Sequence, residues 1–352
     1  MPIYAVWNNK GGVGKSYLTF QIAAEYARVH PEKKVLVVDL CPQANSSSML
    51  LGGMQLGEAN LNRIHLGQPR LTISGYIEDR IFSPYVNPRT GSRYALPIHD
   101  YNYPIPRNLF LVVGDEQLEI QASRVSAATA PGPQDAWRIV HTWISDLIQD
   151  VVSAWNGQDH TVFIDCNPSF SIYTELALSA SDRLIVPFSA DGSSKRAVRA
   201  VLALIYGVTR QPGQQQSEFY LNSQRFRMSS PTLYMYVGNR LTQYNQTSGA
   251  AFKSVVNEIG EEIFAVWQAN PGLFCVHPAG APVPTSKRPF KAMFQYEVND
   301  ANSASVVSGT LGVPISALVS GRRMVLGKEV MVNQSQLDKQ VPNIRSLVAA
   351  IE

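Results

Sequence analysis

Lys10-Gly11-Gly12-Val13-Gly14-Lys15-Ser16 is the stretch on which the fold turns. A loop that binds phosphate needs glycines, because successive backbone N–H groups must face one anion and side chains would block them. Gly11, Gly12 and Gly14 meet that need, Lys15 is placed to reach outer phosphates, and Ser16 offers magnesium a hydroxyl. Before the loop, Ile3-Tyr4-Ala5-Val6-Trp7 reads as a buried strand. After it, Leu18, Ile22, Ala23, Tyr26 and Ala27 recur at helical spacing from Ser16 to Val29. That helix aims its positive end at the phosphates. Val35-Leu36-Val37-Val38-Asp39 is a second apolar strand ending in an acid, the mark of a parallel sheet covered on both faces. Together these pieces make a right-handed crossover unit.

The alternation continues down the chain. Strands are expected at Asn108 to Val113, Thr161 to Asp165, Arg183 to Pro187 and Thr232 to Val237. A polar helix is expected from Glu116 to Ser126 and a long amphipathic one from Gln134 to Trp155, after a break at Pro131-Gly132-Pro133. Further helices are read at Ser194 to Val208 and between Gly249 and Gln268, with a linker loop at Pro212 to Ser217. From Gly52 to Arg107 the composition shifts to Gly, Pro, Asn and Tyr. There only Ile73 to Phe82 has a clear helical pattern, and Arg89 to Pro106 reads as a surface hairpin or extended insertion. The last helix, Val341 to Ile351, is short and not basic. The expected architecture is one α/β domain over residues 1–352, a doubly wound, mostly parallel sheet with helices on both faces. It carries a variable insertion at 54–107, between the first switch segment and the next strand, and a carboxyl-terminal extension at 290–352.

Bulk properties narrow the function classes. Net charge is +3, from 30 basic and 27 acidic residues, so any nucleic-acid contact must come from a local patch. Cys41, Cys166 and Cys275 are far apart with no CxxC pair, which points to a reducing compartment and away from disulfides or a closed zinc site. The histidines lack ligand spacing, so no metal beyond magnesium is indicated. Met1 to Asn8 lacks the basic start and cleavage site of a secretory signal, and the apolar runs are too short to span a bilayer. The expected location is the cytoplasm.

The loop's glycine spacing is compressed, and it begins with an extra lysine, Lys10. This resembles the deviant Walker A loop of the ParA/MinD family of dimerising P-loop ATPases. Val37-Val38-Asp39-Leu40-Cys41-Pro42-Gln43-Ala44-Asn45 resembles that family's first switch segment. Phe163-Ile164-Asp165-Cys166-Asn167-Pro168-Ser169 resembles its Walker B strand and turn, and Thr174 to Phe188 is similar to the helix and strand that follow. The likeness covers most of the chain, is weakest from Leu56 to Arg107, and is closer to ParA than to MinD. It implies ATP and Mg2+ as cofactors, held by Gly11, Gly12, Val13, Gly14, Lys15, Ser16 and Tyr17. It gives catalytic roles to Lys10, Lys15, Asp39 and Asp165, and the metal to Ser16, Asp39 and Asp165. Lys10 would reach across a homodimer interface to the partner's nucleotide. Asn239 is a candidate for reading adenine, with a turn or cap asparagine as the alternative.

The resemblance also implies nonspecific contact with double-stranded DNA. The candidates are Lys195, Arg196 and Arg199; Arg225 and Arg227; Lys287, Arg288 and Lys291; and Arg322 and Arg323 with Lys328. Ordinary solvated faces are the alternative. It further implies a ParB-like or other stimulating partner protein, a nucleoid-associated location and no membrane contact, the terminal helix lacking a cation-flanked apolar face. One position departs from the family pattern: Cys41 stands where a second switch acid is usual. Two functional readings follow. One is a ParA-type ATPase, slow and partner-stimulated, that positions or segregates a plasmid, chromosome region or protein assembly. The other is an ATP-binding regulatory or assembly switch with little hydrolysis. Cys41 and Cys166 read as buried small hydrophobes or, alternatively, as redox residues.

Overall fold

The computed structural model describes residues 2–130, 135–189, 191, 193–209, 213, 215–239 and 249–352, with side chains from 253 in the last segment. The expected break at Pro131 to Pro133, the residue Gln134 and most of the Pro212 to Ser217 loop's first half lie outside the described residues.

The strands are β1 (Ile3–Val6), β2 (Lys34–Leu40), β3 (Ala95–Pro97), β4 (Leu109–Val112), β5 (His160–Cys166), β6 (Arg183–Phe188), β7 (Thr232–Asn239), β8 (Gln295–Val298), β9 (Gly321–Val325) and β10 (Lys328–Val332). The first eight form one sheet in the order β3-β4-β2-β5-β1-β6-β7-β8. All neighbours are parallel except β3, which runs antiparallel to β4 at the edge. The expected doubly wound sheet is therefore present. Side-chain alternation explains why both faces are covered. Tyr4, Val6, Val35 and Val37 enter the core on one face, and Ala5, Trp7, Leu36 and Val38 enter the core on the other.

The helices are α1 (Lys15–Val29), α2 (Asn45–Leu50), α3 (Gly53–His65), α4 (Ile73–Phe82), α5 (Gln117–Ala128), α6 (Ala136–His141), α7 (Trp143–Ser153), α8 (Ile172–Ser179), α9 (Ser194–Tyr206), α10 (Glu218–Phe226), α11 (Gly249–Ala269), α12 (Lys287–Phe294), α13 (Ser303–Leu311) and α14 (Gln334–Ala349). The first core takes Leu18, Ile22 and Tyr26 of α1, Val307 of α13, and Ile344 and Leu347 of α14. The second takes Ile73 and Ile77 of α4, Trp143 and Leu147 of α7, Val201 of α9 and Ile259 of α11.

Several expectations are corrected. Arg89 to Pro106 is not a surface hairpin. It forms a tight turn at Gly91–Tyr94 and then β3, with Tyr94, Leu96, Ile98 and Ile105 buried. Pro97 is tolerated because β3 is an edge strand, where one side needs no N–H donor. The Gly-rich stretch after Leu51 hides a full helix, α3. Gly53 there has φ +75°, and a methyl on it would lie 2.1 Å from the Thr310 carbonyl oxygen, so only glycine lets α3 start against α13. The long helix expected from Gln134 is split into α6 and α7 at Thr142. The terminal helix begins at Gln334, not Val341. A reciprocal cap between Asn333 and Gln336 starts it, and Pro342 sits inside it.

Candidate nucleotide site

The glycine loop leaves the carboxyl end of β1 and is pinned at its root. Trp7 Nε1 donates to Asn167 O at 3.0 Å, and Asn8 Nδ2 donates to Pro187 O at 2.7 Å. Those acceptors follow β5 and end β6, the two strands that flank β1, so the loop sits where an open α/β sheet places its ligand crevice. Gly12 and Gly14 have φ +72° and +78°, a conformation that side chains rarely adopt. A Cβ on Gly11 or Gly12 would meet nothing within 4 Å. The missing side chains therefore leave open space for something else. The first turn of α1 has no side-chain cap, so its N–H groups stay available to an anion.

Lys15 is buried at the base of this cradle. Its Nζ donates to Lys10 O at 2.9 Å and Asn8 O at 3.4 Å. Burial pulls its pKa down, and the charge of Asp165 pulls the other way. A cleft of about 560 Å3 opens above, lined by Gly12, Lys15, Ser16, Cys41, Ser48 and Glu58 among others.

The two strand-end acids are register partners across β2 and β5, both fully buried. Their roles differ. Asp39 Oδ1 accepts from Cys41 N at 3.0 Å, and Oδ2 accepts from Ser47 N at 3.0 Å and Ser47 Oγ at 2.7 Å. Burial raises the Asp39 pKa, and these bonds from Ser47 and Cys41 oppose it. Three of the roughly four lone-pair sites of a carboxylate are filled. Through these bonds Asp39 anchors the segment from Cys41 to Ser47 to the sheet.

Asp165 is the opposite case. Both its oxygens are buried without a hydrogen-bond partner, as is Ser46 Oγ. Burial, then the charge of Asp39, push its pKa up to about 7. The nearby hydroxyls of Ser16 and Ser46, as hydrogen-bond donors, and the charge of Lys15 lower it, although neither hydroxyl meets full bonding geometry with either oxygen. A buried carboxylate without donors is costly, and a hard cation with its water shell is the group that answers it. The residues present therefore fit magnesium, with Ser16 and Asp165 as its holders.

Lys10 lies within its own subunit's reach. Its Nζ pairs with Asp191 and donates to Ser189 Oγ at 3.1 Å. Burial alone would raise the Asp191 pKa, but Lys10, Ser193 and Ser189 hold it well below the usual carboxylate range. Asn239 does not line the cleft. Its Nδ2 donates to Val13 O at 3.0 Å, bracing the loop from β7, while its Oδ1 is buried without a donor. Tyr17, on the cleft wall, donates to Gln340 Oε1 at 2.8 Å, which ties α1 to α14. The Cys41 thiol is pushed up to about 12 by burial, then by Asp39 and Asp165, and burial raises Cys166 as well. Both stay protonated near neutral pH, as inert buried cysteines do.

Five of the eleven candidate cations are matched by acids among the described residues. Lys195 pairs with Glu258 at 3.1 Å, Arg199 with Glu262, and Lys287 and Lys291 with Glu261, so α9 and α12 both face the acid row of α11. Arg322 pairs with Glu329 at 2.9 Å, and Arg323 donates to the Val319 carbonyl at 2.9 Å. Arg225 stacks over Phe226. Among the described residues, Arg196, Arg225, Arg227, Arg288, Arg323 and Lys328 have no ion pair. Sequence reading missed Ser46, Ser47, Glu58 and Asp191. Asp191 had a signal, an acid just beyond a third strand end, but Glu58 becomes visible only once α3 is folded.

A cradle of bare backbone at a strand-to-helix turn, a buried lysine and an orphaned carboxylate define a P-loop nucleotide-binding protein. Residues 1–89 match the family described as AAA domain. No curated protein sequence matches the chain. In structure it is similar to Cyanothece apo McdA, with TM-score 0.56 and 12% identity over 98% of each chain. A Cyanothece McdA variant in complex with ATP gives TM-score 0.55 and 12% identity over 100% of this chain and 98% of that one. The structure of pnob8 ParA follows with TM-score 0.46 and 14% identity over 74% and 71%. The whole chain therefore has the fold of the two McdA structures.

Proposed function

We propose that the chain, as one domain over residues 1–352, is a ParA-type ATPase that dimerises around ATP and positions or segregates cargo. The observation that carries the nucleotide half is Asp165, a buried acid whose oxygens have no protein donor, beside Lys15 and Ser16. The similar McdA fold in complex with ATP supports the choice of nucleotide. Gly11 to Ser16 would cradle the phosphates, and Lys15 would turn from the Asn8 and Lys10 carbonyls to the outer ones. Magnesium, when bound, neutralises phosphate charge at Ser16 and Asp165. Asn239 Oδ1, buried outside the cleft, would accept from the amino group of adenine only if the end of β7 were uncovered. Lys10 would leave Asp191 for the partner's nucleotide when two loaded subunits face each other.

DNA contact is proposed for the candidate cations without acid partners among the described residues: Arg196, Arg225, Arg227, Arg288, Arg323 and Lys328. The paired lysines of α9 and α12 would contribute only after breaking bonds to α11. Among the described residues no helix is long and apolar enough to cross a membrane; a cytoplasmic, nucleoid-bound state and a stimulating partner belong to the same proposal. The protonated Cys41 thiol favours a second reading, a binding switch with little turnover.

Co-sedimentation with random-sequence duplex DNA tests the proposal. With magnesium and a slowly hydrolysed ATP analogue the chain should pellet with DNA at low salt. It should be released between ~50 and ~200 mM salt, as phosphate-directed binding requires. With ADP it should stay in solution. Equal pelleting in both nucleotides, or none in either, would remove the DNA half of the proposal.

A further inference from the structure

Hydrolysis needs a group to orient the attacking water, and the expected groups are not available for it. Asp39 is tied to Ser47 and Cys41, Asp165 lies buried beneath the cleft, and the Cys41 thiol stays protonated. The cleft wall carries a carboxylate from elsewhere. Glu58, on α3, faces the same space as Gly12, Lys15, Ser16 and Cys41, and it is the acid among the cleft-lining residues.

Its placement is built rather than incidental. A Cβ on neighbouring Gly57 would lie 2.1 Å from Ser48 O, so the α3 backbone touches α2 directly beside Glu58. Glu58 Oε1 accepts from Ser48 Oγ at 2.6 Å. Ser48 follows Ser47, which is bound to Asp39. The switch segment therefore holds Glu58 through one hydroxyl, and among the described residues no donor reaches Oε2. Met54 and Val306, both more than half exposed, sit on the same cleft and would exclude bulk water once a second surface covered it.

We infer that Glu58 is the carboxylate that orients the attacking water, an inference that rests on reading the chain as an ATPase. The water oxygen forms a bond to the γ-phosphorus, and the bond from that phosphorus to the β,γ-bridging oxygen breaks, its electron pair leaving on ADP. One water proton stays with the new phosphate, and the other passes to Glu58 and on to solvent.

Glu58→Gln keeps the size of the side chain and an acceptor for Ser48. Its affinity for a slowly hydrolysed ATP analogue should stay within about twofold of the parent, while kcat falls ~100-fold or more. Adding Cys41→Asp, which places a carboxylate at another position lining the same cleft, should restore turnover to within about tenfold. Ser48→Ala, which only loosens Glu58, should lower kcat by about three- to tenfold without changing affinity; it decides the matter should Glu58→Gln fold poorly. Unchanged kcat in Glu58→Gln, or equal losses of affinity and kcat without rescue by Cys41→Asp, would overturn the inference. A parent chain that binds ATP but never turns it over, with or without DNA, would overturn it while leaving nucleotide binding intact. A parent that does not bind ATP would remove both.

Discussion

Lys15→Ala should bind ATP at least ~100-fold more weakly than the parent chain while remaining folded. The ammonium group contributes charge-assisted bonds to the outer phosphates, each worth ~1.5–3 kcal/mol, and two such bonds account for the loss. The fold should tolerate the change because Lys15 holds no structural acid of its own. Its partners are two carbonyls, of Asn8 and Lys10, and the root of the loop is fixed separately by Trp7 and Asn8. Titration with a fluorescent ATP analogue, with a melting curve alongside, checks both halves. Affinity retained in a folded Lys15→Ala protein would mean that the glycine loop is not the phosphate site.

The second large effect is expected at Asp165 and has two opposite signs. Asp165→Asn should abolish magnesium-dependent turnover, because a neutral amide lacks the carboxylate charge by which proteins hold Mg2+. The same change should raise the melting temperature of the nucleotide-free protein by roughly 1–2 °C, about what 1 kcal/mol gives in a domain of this length. The gain comes from relieving two buried carboxylates in register, Asp39 and Asp165, of which Asp165 has no donors. A pH signature accompanies it. Because the folded-state pKa of Asp165 is raised to about 7, the native chain binds more protons than the unfolded one between the ordinary carboxylate range and neutrality. Without magnesium, the parent should therefore gain stability as pH falls through about 7 toward 4, and Asp165→Asn should show a smaller gain, the part left being that of Asp39. Thermal melts of both proteins across that range, with magnesium chelated, read the sign directly. A less stable Asp165→Asn protein would show that the acid is satisfied in a way the geometry omits.

The parts of this site that follow the chain closely were legible in the sequence. The loop from Lys10 to Ser16, the acids ending β2 and β5, and the central strands all announce themselves through unbroken apolar runs and glycines at fixed spacing. Local pattern suffices there because both sheet faces are buried. What the sequence did not disclose depends on long-range contact. The helix α3 was hidden by Gly52, Gly53 and Gly57, residues that read as loop but are needed where α3 touches Ser48 and Thr310. β3 was hidden because a three-residue edge strand carries too little periodicity. Asp39 and Asp165 look alike as strand-ending acids, and only Ser47, eight positions downstream of Asp39, separates an anchor from a candidate ligand. The basic residues of α9 and α12 looked available until α11 placed three glutamates opposite them.

The central claim is that ATP, sensed through Lys10, drives two copies together. Light scattering coupled to size-exclusion chromatography, in magnesium with a slowly hydrolysed ATP analogue and then with ADP, tests it most directly. The chain should run at twice its 38.8 kDa mass with the analogue and at its single mass with ADP. Lys10→Ala should bind the analogue and stay at the single mass. One mass in both nucleotides for the parent, or a normal analogue-dependent dimer from Lys10→Ala, would contradict the account.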